Sequence, residues 1–211
     1  MYPLRWCAGT SARGANVSLT LQSGFTMETW FRLQDLGSPY VFPIEGVPPV
    51  NTLGDINFLE LRQNSAQQQL WVGLGMEFGT LGAFTNFCAH REEGVFARGL
   101  PLMLLTLGRW YHMAAVFTGP YLRLYLDGEL YQSVGCDLVS KWQDSATFQV
   151  GLGQTVNLTS HQVANVTTGW LVDLAEVRLW NVPRSADDIR RTMQHSNFSS
   201  LDSGLVGLWR A

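Results

Sequence analysis

Leu122-Arg123-Leu124-Tyr125-Leu126, then Asp127-Gly128, then Glu129-Leu130-Tyr131-Gln132-Ser133-Val134 is the stretch from which the fold is read. Leu122, Leu124 and Leu126 alternate onto one face of an extended segment. An Asp-Gly pair supplies the positive φ angles that a type I′ turn needs between twisted strands. The stretch predicts a β-hairpin. Working outward, Leu70, Val72, Leu74, Met76 and Phe78 alternate in the same way, with Trp71, Gly73, Gly75 and Glu77 between them. The segments 25–33, 58–62, 110–117, 148–152 and 170–180 also read as strands bounded by Gly, Pro, Asn or Asp. Evenly spaced short strands of this kind build a sandwich or a barrel.

One segment reads as helix. Ser185 can cap it, Asp187 and Asp188 suit its positive end, and Ile189 and Met193 share a face. It is expected at a sheet edge or an end of the sandwich. The stretch 37–54 carries Pro39, Pro43, Pro48 and Pro49 and is expected to be a long loop of the sort that carries binding.

Composition narrows the class. The 211 residues are 46% hydrophobic, enough for one well-buried core, and a single domain over 1–211 is expected, with its core from about residue 14. Charged residues make up 15%, while 21 Gly and the 8 Trp, 6 Tyr and 11 Phe supply turns and large packing groups. A net charge of -3 leaves no electrostatic footprint for nucleic acid or anionic membranes. No apolar run approaches the roughly 20 residues of a membrane span, and the N-terminal residues lack a signal-peptide core.

Asn16, Asn157, Asn165 and Asn197 each begin an Asn-X-Ser/Thr acceptor pattern, four of nine asparagines. That excess favours a secreted, cell-surface or virion-surface setting and a chain that is part of a longer exported protein. Cys7, Cys88 and Cys136 show no CxxC spacing, so neither a zinc site nor a dense disulfide framework is indicated. At most one internal bridge fits, with Cys88–Cys136 preferred and three reduced thiols the alternative.

Four stretches, in order, resemble the laminin G-like (concanavalin A-like) jelly-roll family, which includes the pentraxins. They are residues 25–31 (FTMETWF), residues 109–117 (RWYHMAAVF) leading into the 124–128 hairpin (LYLDG), residues 169–181 (GWLVDLAEVRLWN) followed by Arg184-Ser185, and residues 204–209 (GLVGLW). The resemblance implies an all-β sandwich of two antiparallel sheets, with one short C-terminal helix and the last strand returning beside the first. Trp30, Trp110, Trp180 and Trp209 are then expected as core anchors, and His112 as a hydrogen-bonded structural histidine. Glu176 and Arg178 are expected to form a structural pair.

Enzymes of this fold place two carboxylates about 5 Å apart across a groove, and an E-x-D-x-E strand would carry them. No such run occurs, so a non-catalytic module is expected. Calcium is the family's usual cofactor and needs several oxygen ligands. Pentraxins place an acidic cluster after the strand matching residues 148–153, where this chain has Gln154, Thr155, Val156 and Asn157. Asp35, Asp55, Asn57 and Asp173 remain as oxygen donors for calcium. A glycan needs an aromatic platform beside polar groups, and Trp142, Trp71, Tyr125 and Arg123 are the candidates. The leading expectation is an extracellular recognition or adhesion module for a glycan or a surface or matrix protein. The alternatives are a structural module of a larger surface protein and a carbohydrate-active enzyme.

Overall fold

The computed structural model describes residues 4–7, 12–19, 23–35, 55–64, 69–77, 80–85, 95–101, 104–136, 146–157, 162–163, 171–195 and 203–210. In chain order the strands are β1 (Leu4–Cys7), β2 (Ala12–Leu19), β3 (Phe25–Asp35), β4 (Asp55–Asn64), β5 (Gln69–Glu77), β6 (Thr80–Thr85) and β7 (Val95–Pro101). They continue with β8 (Trp110–Phe117), β9 (Tyr121–Leu126), β10 (Glu129–Gly135), β11 (Ala146–Asn157), β12 (Gln162–Val163) and β13 (Leu171–Trp180). Helix α1 (Ala186–Thr192) and β14 (Leu205–Trp209) close the order.

The strands form two antiparallel sheets packed as a sandwich. The first runs β1-β13-β3-β8-β9-β10, with β14 and β1 end to end along one edge of β13. The second runs β12-β11-β4-β5-β6-β7, with β2 also on β11. Alternate side chains meet between them. Phe25, Met27, Phe31 and Leu33 of β3 and Tyr111, Met113, Ala115 and Phe117 of β8 face Leu59 and Leu61 of β4 and Val72, Leu74 and Met76 of β5. Phe31 stacks at 5.0 Å on Phe58 of the opposite sheet, and Phe25 at 4.6 Å on Phe117.

The expected hairpin is β9–β10. Asp127 and Gly128 have φ of 48° and 82°, the type I′ pattern. The Asp127 carboxylate accepts the His112 backbone N–H at 2.8 Å and pairs with Arg109 at 3.0 Å, tying the turn to β8. Strand β13 hides a break in parity. Val172 and Leu174 face the core, and strict alternation would send Glu176 and Arg178 inward after them. A bulge between Ala175 and Arg178, with Glu176 at φ 50°, shifts the phase so that Val177 and Leu179 face the core instead. Both charges therefore leave by the outer face.

Several expectations need correction. Gln154–Asn157 belong to β11, with Gln154, Thr155 and Val156 paired with β4 and Asn157 with Gln162 of β12, so the strand expected over 148–152 runs on through these positions. Strands β1, β2, β6, β7 and β12 were not expected. Helix α1 lies on the outer face of the first sheet, where Ile189 packs on Ala114, Val116 and Tyr125, rather than at an edge or end. Trp30, Trp110 and Trp180 are not between the sheets. They share the outward parity of Glu28, His112 and Arg178, whereas Trp209 does pack against the core. Cys136 is buried and disulfide-bonded, which removes the reading of three reduced thiols. The 37–54 loop lies outside the described residues.

Candidate functional site

A jelly roll has two outer sheet faces, and the first sheet's is largely taken by α1. Ser185 caps the helix in a reciprocal capping box with Asp188. Beneath the helix lies a layer of buried charge. Glu28, fully enclosed, faces Arg184 at 2.5 Å, Arg178 at 3.4 Å and His112 Nε2 at 3.6 Å. Arg178 also pairs with Glu176 and donates to the carbonyls of Thr192, Met193 and His195 at 2.8–3.3 Å. Trp30 Nε1 donates to the Met193 carbonyl at 2.8 Å, and the Arg184 guanidinium lies 4.1 Å over the Trp180 ring. The carbonyls at the negative end of the helix are thus held by a buried cation, as its dipole favours.

Burial alone pushes the Glu28 carboxyl up. The His112 imidazole close beside it and the charges of Arg184 and Arg178 more than offset this and hold it below the ordinary 4.5. Each carboxylate in this layer is consumed by a cation and shut beneath the helix, so the layer is built to attach α1. His112 is fully buried and set edge-on to Trp30 at 5.2 Å, and the Glu176–Arg178 pair forms as expected.

The helix leaves the far end of β9 and β10 uncovered. Leu122 and Leu124 point into the core, so Tyr121 and Arg123 point out. Tyr121 is 46% exposed, and the Arg123 guanidinium lies 5.5 Å from its ring centroid. Across the ladder, Ser133 sits opposite Arg123 and Gly135 opposite Tyr121. A Cβ built on Gly135 would meet nothing within 4 Å, so the space beside the Tyr121 ring is open. Ring, guanidinium and hydroxyl on a rigid hairpin make a small composite platform of the kind that holds a sugar ring and its substituents.

Of the sequence candidates among the described residues, Arg123 alone belongs to this platform. Tyr125 shares its face but is 4% exposed, covered by Ile189 of the helix. Trp71 lies on the second sheet opposite Arg62 and is 6% exposed. Neither ring offers the open surface expected of it. Trp142 lies outside the described residues. Strand β9 begins at Tyr121, one residue before the expected Leu122, and parity with Arg123 puts Tyr121 on the same face.

The four calcium donors lie on three strands. Asp35 and Asp173 are on β3 and β13 of the first sheet, Asp55 and Asn57 on β4 of the second. Asp173 is buried, and its Oδ2 accepts from Arg32 at 2.6 Å and Gln34 at 2.5 Å, so a cation would have to displace a guanidinium. Of the four, only Asp173 has a described side chain, and no metal-binding cluster occurs among the described residues. Asn16 is exposed on β2 and Asn157 ends β11; Asn165 and Asn197 lie outside the described residues.

The family model described as concanavalin A-like lectin/glucanases superfamily matches residues 8–190. No curated protein matches the sequence. Similar solved structures include a heptameric SAP-like pentraxin from Limulus polyphemus, 13% identical, with a TM-score of 0.52 over 92% of this chain and 83% of that one. A presumed carbohydrate-binding protein of Bacteroides ovatus is 15% identical, with a TM-score of 0.51 over 96% of this chain and 52% of that one. A Trypanosoma rangeli sialidase is 14% identical, with a TM-score of 0.55 over 89% of this chain and 26% of that one. The chain thus spans about half of the second protein and a quarter of the third, and at these identities the likeness is one of fold.

Proposed function

The chain belongs to the concanavalin A-like lectin/glucanases superfamily, and we propose that it acts within it as a recognition module, binding a glycan on the Tyr121–Arg123 platform without chemistry. The observation that carries this is the exposed Tyr121 ring beside Arg123 and across from the open space at Gly135, on a stretch of the first sheet's outer face that α1 leaves uncovered. The buried acids whose side chains are described support the non-catalytic reading. Glu28, Glu60, Asp173 and Glu176 are each ion-paired with arginine, which leaves none poised to hold or deliver a proton.

Four sequons and a disulfide at Cys136 support an extracellular setting, with the module carried in a larger surface protein. A glycan array probed with the wild-type chain and with Tyr121→Ala tests the site. Binding that falls at least about tenfold in the variant, with its melting temperature unchanged, supports the proposal. Undiminished binding by the variant refutes it.

A further inference from the structure

Every arginine whose side chain is described faces a carboxylate, with one exception. Arg32 has Asp173, Arg62 has Glu60, Arg109 has Asp127, Arg178 has Glu28 and Glu176, Arg184 has Glu28, Arg190 has Glu129 and Asp187, Arg191 has Asp188, and Arg210 has Glu176. Arg123 has the face of Tyr121 and no acid. The acids at the turn of its own hairpin are not spare, since Asp127 and Glu129 are already held by Arg109 and Arg190.

In a chain of net charge -3 whose other described guanidiniums are neutralised in place, one unneutralised guanidinium at an open aromatic is the place where an anion gains most. We infer that the platform selects acidic pyranoses, sugars bearing a carboxylate or a sulfate ester, with the charged group on Arg123 and the apolar ring face against Tyr121. This rests on the reading of the platform as a glycan site and adds the class of ligand. Gly135 sets the fit: with no side chain opposite Tyr121, a ring of pyranose thickness can lie against the tyrosine, while Ser133 beside Arg123 offers a hydroxyl to the ligand. An arginine fork matches the paired oxygens of a carboxylate or sulfate better than an ammonium would.

The test uses cellobiouronate, 6-sulfated cellobiose and cellobiose as matched probes, with acetate as a bare anion, measured by NMR titration and calorimetry at low ionic strength. The wild-type chain is expected to prefer either acidic disaccharide over cellobiose by about tenfold or more, the scale of a charged hydrogen bond. Arg123→Gln should bring acid and neutral probes level, and Arg123→Lys should restore part of the preference. Gly135→Val should abolish binding without lowering the melting temperature, because the added methyls enter open space. Equal affinity for cellobiose and cellobiouronate, or a preference that survives in Arg123→Gln, overturns the acidic class while leaving a glycan site at Tyr121 standing. Acetate binding as tightly as cellobiouronate overturns the pyranose. Failure of every sugar to bind, with Tyr121→Ala indistinguishable from wild type on the array, overturns both this inference and the reading beneath it.

Discussion

The chain has two interiors, and they follow different rules. Between the sheets, Phe25, Phe31, Phe58, Leu59, Leu74 and Met113 exclude water by shape, and an apolar side chain of the right volume serves. Beneath α1 the enclosed groups are Glu28, His112, Arg178 and Arg184, which exclude water while keeping charge. The first layer is sensitive to volume and tolerant of exchange among apolar side chains. The second reverses that, because a buried ion left without its partner costs far more than a small change in packing.

The difference can be broken from either side. Phe31→Ala opens a cavity between the sheets and is expected to cost about 3–5 kcal/mol in chemical denaturation, whereas Leu59→Met, which keeps volume, is expected to cost less than about 1.5 kcal/mol. Glu28→Gln also keeps volume, yet it strands Arg184 and takes from Arg178 one of its two carboxylates. It is expected to cost about 3–5 kcal/mol, the cost of removing one partner from a buried ion pair. If Glu28→Gln proves as mild as Leu59→Met, the two layers do not differ in kind.

Acid sharpens the contrast. Glu28 titrates below its ordinary 4.5 in the folded chain, so its contribution is complete above that value and is lost as pH falls through the depressed folded pKa. Denaturant midpoints measured downward from pH 5 are expected to fall for the wild type. Glu28→Gln should lack this part of the loss.

Smaller effects follow at the rim of the helix. A Cβ on Gly128 would lie 2.6 Å from Arg190 Cγ and would also hold a left-handed conformation, so Gly128→Ala is expected to cost about 1–2 kcal/mol. Ser185→Ala removes the helix cap and is expected to cost about 1 kcal/mol. Both should lower the melting temperature while leaving the packing between the sheets, read by near-ultraviolet circular dichroism, native.

The apolar interior was legible in the sequence because period two is a local property. Residues 122–134 declare their hairpin, and 110–117 its strand, from neighbours alone. The charged interior was less so. Trp30, Trp110 and Trp180 are as apolar as core residues, and only their shared parity with Glu28, His112 and Arg178 assigns them to the outer face. On β13 even parity fails, because the bulge at Glu176 changes the phase without a glycine to announce it. The platform was half legible. Arg123 stands out as a charge on a strand, but Tyr121 and Tyr125 are alike in sequence, and only the position of α1 decides which ring stays open. Strands β6 and β7 are hidden in the sequence because Gly82 and Gly99 interrupt their alternation.

The anchoring of α1 also fixes an order of events. The bonds from Arg178 and Arg184 to Glu28 and from Trp30 to Met193 join residues 150, 156 and 163 positions apart. A helix of 7 residues is too short to persist alone, and contacts of such separation close late and slowly. During synthesis Glu28 must therefore wait, hydrated, until Arg178 and Arg184 have emerged. The outer face of β3 is then a surface that a chaperone or a neighbouring nascent chain would meet before α1 covers it.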